Sequence, residues 1–143
     1  MATKETIGPT PVDGDVRSRI STGIVQLHKQ YYGRGPTQTK TYCYDDFVLV
    51  ILRGGFTAVE RTLMQAGEHN AVAHQRETFQ RVMRPLYAEL IERETGRHVQ
   101  AFMSATHQDP DMLAELFILE PLEEGSESEE LALGVSDPGD RVR

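Results

Sequence analysis

The residues best suited to chemistry in this 143-residue chain stand together in one stretch, Thr106-His107-Gln108-Asp109-Pro110-Asp111. An imidazole and two carboxylates at alternate positions, His107, Asp109 and Asp111, could bind a divalent metal or a proton. Imidazole favours zinc or another transition ion, whereas carboxylates favour magnesium or manganese. A fourth ligand is not evident nearby, and Asp beside Pro is also ordinary turn chemistry, in which the carboxylate accepts a local backbone hydrogen bond. Arg34, between Gly33 and Gly35, is the second candidate. The glycines would let an anion approach backbone N–H groups, and the guanidinium supplies a forked cation. The same Gly-Arg-Gly-Pro run would also end a helix by capping alone.

Catalytic patterns are sparse. Cys43 is the lone cysteine and falls in a predicted strand without a nucleophile motif, and Ser104 lacks the GxSxG context. Phosphate-loop and dinucleotide fingerprints are absent, and none of His28, His69, His74 and His98 has the HExxH spacing of a zinc site. His107 as base with Asp109 as its orienter is the best catalytic assignment available. The leading reading is non-enzymatic, with no catalytic residue and no cofactor assigned and with Arg34, His107, Asp109 and Asp111 as candidate binding residues; the alternative is a metal- or anion-binding domain, hydrolytic or not, that uses the His107/Asp109/Asp111 loop and Arg34.

The elements that must position these residues follow from periodicity. Val99, Ala101, Met103 and Ala105 alternate onto one face of a strand, and Met112, Ala114, Leu116 and Ile118 answer them on a second, so the His107–Asp111 loop joins a hairpin. Upstream, a helix beginning near Asp13 or Asp15 carries Val16, Ile20, Ile24, Leu27 and Tyr31 as one apolar stripe and stops at Gly33. Thr37 to Arg53 makes two β-rich runs around Asp45-Asp46, which suits a tight hairpin. Its second run, Phe47 to Leu52, is apolar on both faces and is predicted to be central. Thr57 and Glu60 have capping-box spacing, which opens helix to about Thr95 with a break around Gly67. Val72, Phe79, Val82, Met83, Leu86 and Leu90 form its expected buried stripe, with arginines and glutamates on the wet face and a kink at Pro85. The expected architecture is α+β in two layers: a four-stranded antiparallel sheet of two hairpins with helices on one face, in the order α-β-β-α-β-β.

Composition bounds the rest. A 38% hydrophobic, 26% charged chain of this length is one ordinary globular domain. Residues 1–14 read as a flexible leader, 15–121 as the domain, and 122–143 as an acidic, disordered tail in which Leu131, Ala132, Leu133 and Val135 are the apolar exception. Residues 121–143 hold seven acids against two arginines, so −5 of the net −7 lies there and the body carries −2. That balance argues against nucleic acid, which selects a basic face. No run approaches the ~20 apolar residues of a spanning helix, and the N-terminus lacks a signal peptide. The expected location is the cytoplasm, with no direct membrane insertion. A strand apolar on both faces beneath helices that cover only one side also predicts a homodimer closed over the other side.

Three segments, IVQLHKQYYGRGPTQTKTY, VLVILRGGFTAVERTLMQAG and ELIERETGRHVQAFMSATHQDPDMLAELFILEP, resemble the small bacterial MpsC-like family. Its name refers to a sodium-translocating, membrane-potential-generating system. The likeness spans roughly residues 16–121. The family's GRGP corresponds to Gly33-Arg34-Gly35-Pro36, its T-x-V-E helix start to Thr57-Ala58-Val59-Glu60, and its S-x-x-H-x-D-P-D loop to Ser104 through Asp111, all intact. Pro85 departs from the helix former expected there. The resemblance implies an accessory or regulatory domain associated with cation translocation, with a membrane protein as a possible partner.

Overall fold

The computed structural model describes residues 14–122. The leader and tail assigned to residues 1–14 and 122–143, including Leu131 to Val135, therefore lie outside the described residues except at Gly14 and Leu122. Three helices and four strands follow one another as α1 (Gly14–Tyr32), β1 (Gln38–Tyr44), β2 (Phe47–Arg53), α2 (Ala58–Gln65), α3 (His69–Thr95), β3 (Val99–His107) and β4 (Met112–Leu119). The fold is α+β, and the strands form one antiparallel sheet in the order β1-β2-β4-β3. The two hairpins thus meet through β2 and β4, which places the wholly apolar Phe47–Leu52 run at the centre.

Register sorts the side chains into rows. Cys43, Val48, Phe117 and Phe102 share one row on the helix side, and Thr41, Val50, Glu115 and Ser104 share the next. Ile20 and Ile24 of α1 and Met83, Tyr87, Leu90 and Ile91 of α3 pack onto these rows with Leu52, Leu113 and Leu119 as the core. Gly23 lets α1 and α3 approach closely, because a Cβ there would lie 2.8 Å from the Leu90 methyl carbons. The opposite face carries Tyr44, Phe47, Ile118 and Ala101 in one row, and Tyr42, Leu49, Leu116 and Met103 in the next.

Local sequence explains the boundaries. Thr57 Oγ1 accepts from the Glu60 N–H at 3.1 Å and Glu60 Oε1 accepts from the Thr57 N–H at 2.9 Å, so α2 opens with the expected capping box. Gly33 at φ +93° ends α1, and Gly67 at φ +83° separates α2 from α3. Asp45 takes φ 52° in the first hairpin. Arg97 holds that turn, with Nη2 on Asp46 Oδ1 at 2.6 Å and on the Glu120 carbonyl at 2.8 Å. Helix α3 continues through Pro85.

Three expectations change. On α1 the inward residue is His28, while Tyr31 is 53% exposed. On α3 the buried set is Val72, Arg76, Gln80, Met83, Tyr87, Leu90 and Ile91, and Val82 is 66% exposed. From Val72 to Leu90 the spacing of four, four, three, four and three is helical period, with Ile91 beside it, so polar Arg76 and Gln80 ride on the apolar stripe. In β3 a register shift between Val99 and Ala101 turns Val99 toward the core beside Phe102, away from the face that Ala101 and Met103 share.

Alternation also buries Glu115 completely between Leu113 and Phe117. Burial pushes its carboxyl up to about 8, opposed by the Ser104 hydroxyl. Burial first, and the Glu115 carboxyl second, push the Tyr87 phenol above its ordinary range.

Candidate functional site

Two of the three sequence-marked segments, Thr57–Glu60 and Ser104–Asp111, meet beneath the first half of α3 on the guanidinium of Arg76. This side chain is 2% exposed and Glu60 is fully buried. Arg76 Nε donates to Glu60 Oε2 at 2.8 Å and Nη2 to Glu60 Oε1 at 3.1 Å, a two-pronged pair. Its Nη1 donates to Asp111 Oδ1 at 2.8 Å. The guanidinium carbon lies 4.3 Å from the centre of the Phe56 ring. Burial acts to lower the Arg76 pKa, but the Glu60 and Asp111 carboxylates outweigh it and the net direction is upward.

Each partner arrives for a local reason. Glu60 is held by the capping box, so the carboxylate that starts α2 also receives Arg76. Phe56 follows Gly54-Gly55, and Gly55 at φ +96° is glycine by necessity, since a Cβ would meet the Gly35 carbonyl oxygen at 2.9 Å. The glycine pair is therefore what lets the Gly33–Pro36 loop lie against the start of α2. Asp111 ends the second-hairpin loop, and its own carbonyl accepts the Gly54 N–H at 3.0 Å. His28 Nδ1 donates to the Arg34 carbonyl at 3.0 Å and its ring lies 5.6 Å from that of Phe79. Burial foremost holds the His28 pKa below its ordinary value, with the Arg76 charge acting in the same direction.

Tyr32 connects this centre to the surface. Its hydroxyl donates to Glu60 Oε2 and accepts from Gln75 Nε2 at 2.9 Å. Tyr32 and Phe79, with ring centres 4.5 Å apart, also line an open groove of about 650 Å3 shared with Tyr31, Val59, His74 and Gln75.

The structure separates the candidate binding residues. Asp111 turns inward to Arg76. His107 is exposed, with Nδ1 donating to the Pro110 carbonyl at 2.8 Å, and Asp109 is exposed before a cis peptide to Pro110. Gln108 latches the loop to α3: its Nε2 donates to the His69 carbonyl and its Oε1 accepts from His69 Nδ1, both at 2.9 Å. The Arg34 side chain is exposed, and its backbone carbonyl is what the site uses. Among the described residues no group of three His, Cys, Asp or Glu side chains could hold a metal ion. Burial pushes the Cys43 thiol up to about 11, so it is not a thiolate at neutral pH.

Sequence reasoning missed Arg76, Tyr32 and the second role of Glu60. The signal was present: Arg76 lies four residues after Val72 and seven before Met83, on the apolar stripe itself. A guanidinium between two carboxylates, stacked on an aromatic ring and closed from water, fixes structure.

No helix among the described residues is long and apolar enough to cross a membrane. No curated protein and no solved structure matches the chain. The family model described as Na+-translocating membrane potential-generating system (MpsC) matches residues 13–121, which include α1 through β4 and every partner of Arg76. With α1 and α3 on one sheet face and α2 tied to α3 through that buried arginine, the chain belongs to the MpsC family.

Proposed function

We propose that the chain is a soluble, non-enzymatic accessory or regulatory protein of a bacterial cation-translocating membrane system. It acts in the cytoplasm through self-association and contact with a membrane-protein partner. One observation carries this reading: the helices lie on one face of the sheet, and two adjacent rows of the other face are apolar with no cover among the described residues. Tyr42, Tyr44 and Met103 are 46%, 50% and 51% exposed, beside half-buried Phe47, Leu49, Leu116 and Ile118. Contiguous apolar surface of this kind marks an interaction site, and a two-fold pair is the commonest closure because one face then meets its own copy. The edges support face-to-face packing over edge extension, since the register shift in β3 disrupts one edge ladder. The family description supplies the membrane system.

Methionine oxidation mapped by mass spectrometry tests which face is covered. At micromolar concentration Met103 should react slowly with peroxide and speed up on dilution, while buried Met83 stays slow throughout. Rapid oxidation of Met103 at every concentration would contradict the proposal.

A further inference from the structure

Between α3 and the edge strand β3 runs a cleft of about 280 Å3, with Gln80, Arg81 and Arg84 on its helix side and Phe102 and Thr106 on its strand side. Arg81 and Arg84 are exposed, and neither makes a hydrogen bond or ion pair with a described residue. Glu77 is the carboxylate of the lining, so two arginines against one glutamate leave it at +1 in a chain of net −7. Gln80 is 2% exposed, and its Oε1 has no hydrogen-bond partner. Helix α3 and strand β3 run in opposite directions, since Gln108 meets His69 at one end and residues 96–98 join the two elements at the other. Arg84 and Phe102 therefore stand toward the joined end, and Glu77 and Thr106 toward the far end.

We propose that the acidic run of this same chain, residues 123–130, docks in the cleft with its glutamates on Arg84 and Arg81. Glu123, Glu124, Glu127, Glu129 and Glu130 all fall in that run. Its point of departure matches its charge. The Glu120 N–H donates to the His98 carbonyl at 2.9 Å, so the chain passes beyond the described residues at the joined end of α3 and β3. From His98 to Phe102 is about 13 Å at strand rise, and from Thr95 back to Arg84 about 17 Å at helix rise. Residues 121–130 extend up to about 33 Å, which spans either distance. Entering from that end, the run meets both arginines before Glu77, which repels it only at the far end. A peptide also suits Gln80 better than a mineral anion does, because the orphan Oε1 needs a donor, and a backbone N–H or the hydroxyl of Ser126 or Ser128 brings one. Exposed ion pairs are individually weak, but tethering raises the local concentration of the glutamates, so few contacts suffice to hold the cleft. The run then acts as a tethered competitor: an acidic segment of another protein reaches Arg81 and Arg84 only by displacing it.

A spin label on Ser128→Cys, in the full chain with Cys43→Ala, tests the contact through amide line broadening. The amides of Arg81, Arg84 and Phe102 should broaden at low salt, while that of Ile51, in the outer-face row with Lys40 and Ala114, stays sharp. The broadening should vanish in Arg81→Glu with Arg84→Glu, and return when Glu127→Lys, Glu129→Lys and Glu130→Lys are added to that chain. In about 1 M salt, where screening shortens to about 3 Å, it should vanish without any substitution of the arginines. Equal broadening of Ile51 and the cleft amides would overturn the docking and leave the cleft to a segment from outside the chain. Full broadening in the arginine variant or in high salt would also overturn it. Broadening that arises only when label and isotope sit on different chains would overturn the seat within one chain. The wild-type pattern should persist in Leu116→Lys, so this test stands apart from that of self-association on the outer face.

Discussion

The two faces of one sheet teach opposite lessons about where polarity is tolerated. The row Thr41, Val50 and Glu115 is closed over by helices, yet it carries a hydroxyl and a carboxyl. The row immediately beside it, Tyr42, Leu49, Leu116 and Met103, is apolar from edge to edge and has no cover among the described residues. If burial within one chain were the only requirement, these assignments would be reversed. The inner face tolerates polar groups because α1 and α3 close over it, with α3 tied to α2 and to the second-hairpin loop by a partnered arginine. The outer face is composed as an interior still to be formed.

Breaking the clamp that defines the inner face should have the largest effect. Arg76→Met leaves Glu60 and Asp111 buried beside an empty guanidinium site, and removing one member of such a pair costs about 3–5 kcal/mol. Urea unfolding should show it as a lower midpoint, and a loss below about 1 kcal/mol would mean that the clamp is incidental. Acid should loosen the same region more gently. The unfolded chain protonates His28 below the ordinary value of 6.5, whereas the folded chain resists because burial holds its pKa lower. Stability should therefore be full above that value and decline as pH falls below it, since the unfolded state then binds more protons. His28→Asn should flatten this part of the profile relative to wild type, and an unchanged slope would remove His28 from the account. The smallest effect on folding should come from the outer face. Leu116→Lys should change the stability of the single chain by less than about 1 kcal/mol while abolishing association. Loss of the fold itself in that variant would erase the distinction between the faces.

How much of this could be read from residues alone depended on whether the signal was local. The capping box at Thr57 and Glu60, the stop at Gly33 and the alternation in β4 are short-range patterns, and each formed where its spacing indicated. Arg76 did not follow from its type, because an arginine enters a core only when two distant carboxylates and a ring are brought to it. Asp111 had the same ambiguity. Its neighbours His107 and Asp109 suggested a ligand set, but the fold turns one side chain inward and leaves two outside. Val99 was misplaced because one shifted residue in an edge strand reverses the face of everything before it. Tyr31 and Tyr32 are adjacent aromatics, and hydrophobicity alone does not choose between them; the Glu60 carboxylate does.

The outer face carries the central claim, and sedimentation equilibrium of the full chain across the micromolar range tests it most directly. The account predicts twice the 16.1 kDa mass of one chain, falling to one-chain mass on dilution or in Leu116→Lys. A one-chain mass for wild type at every concentration would contradict it.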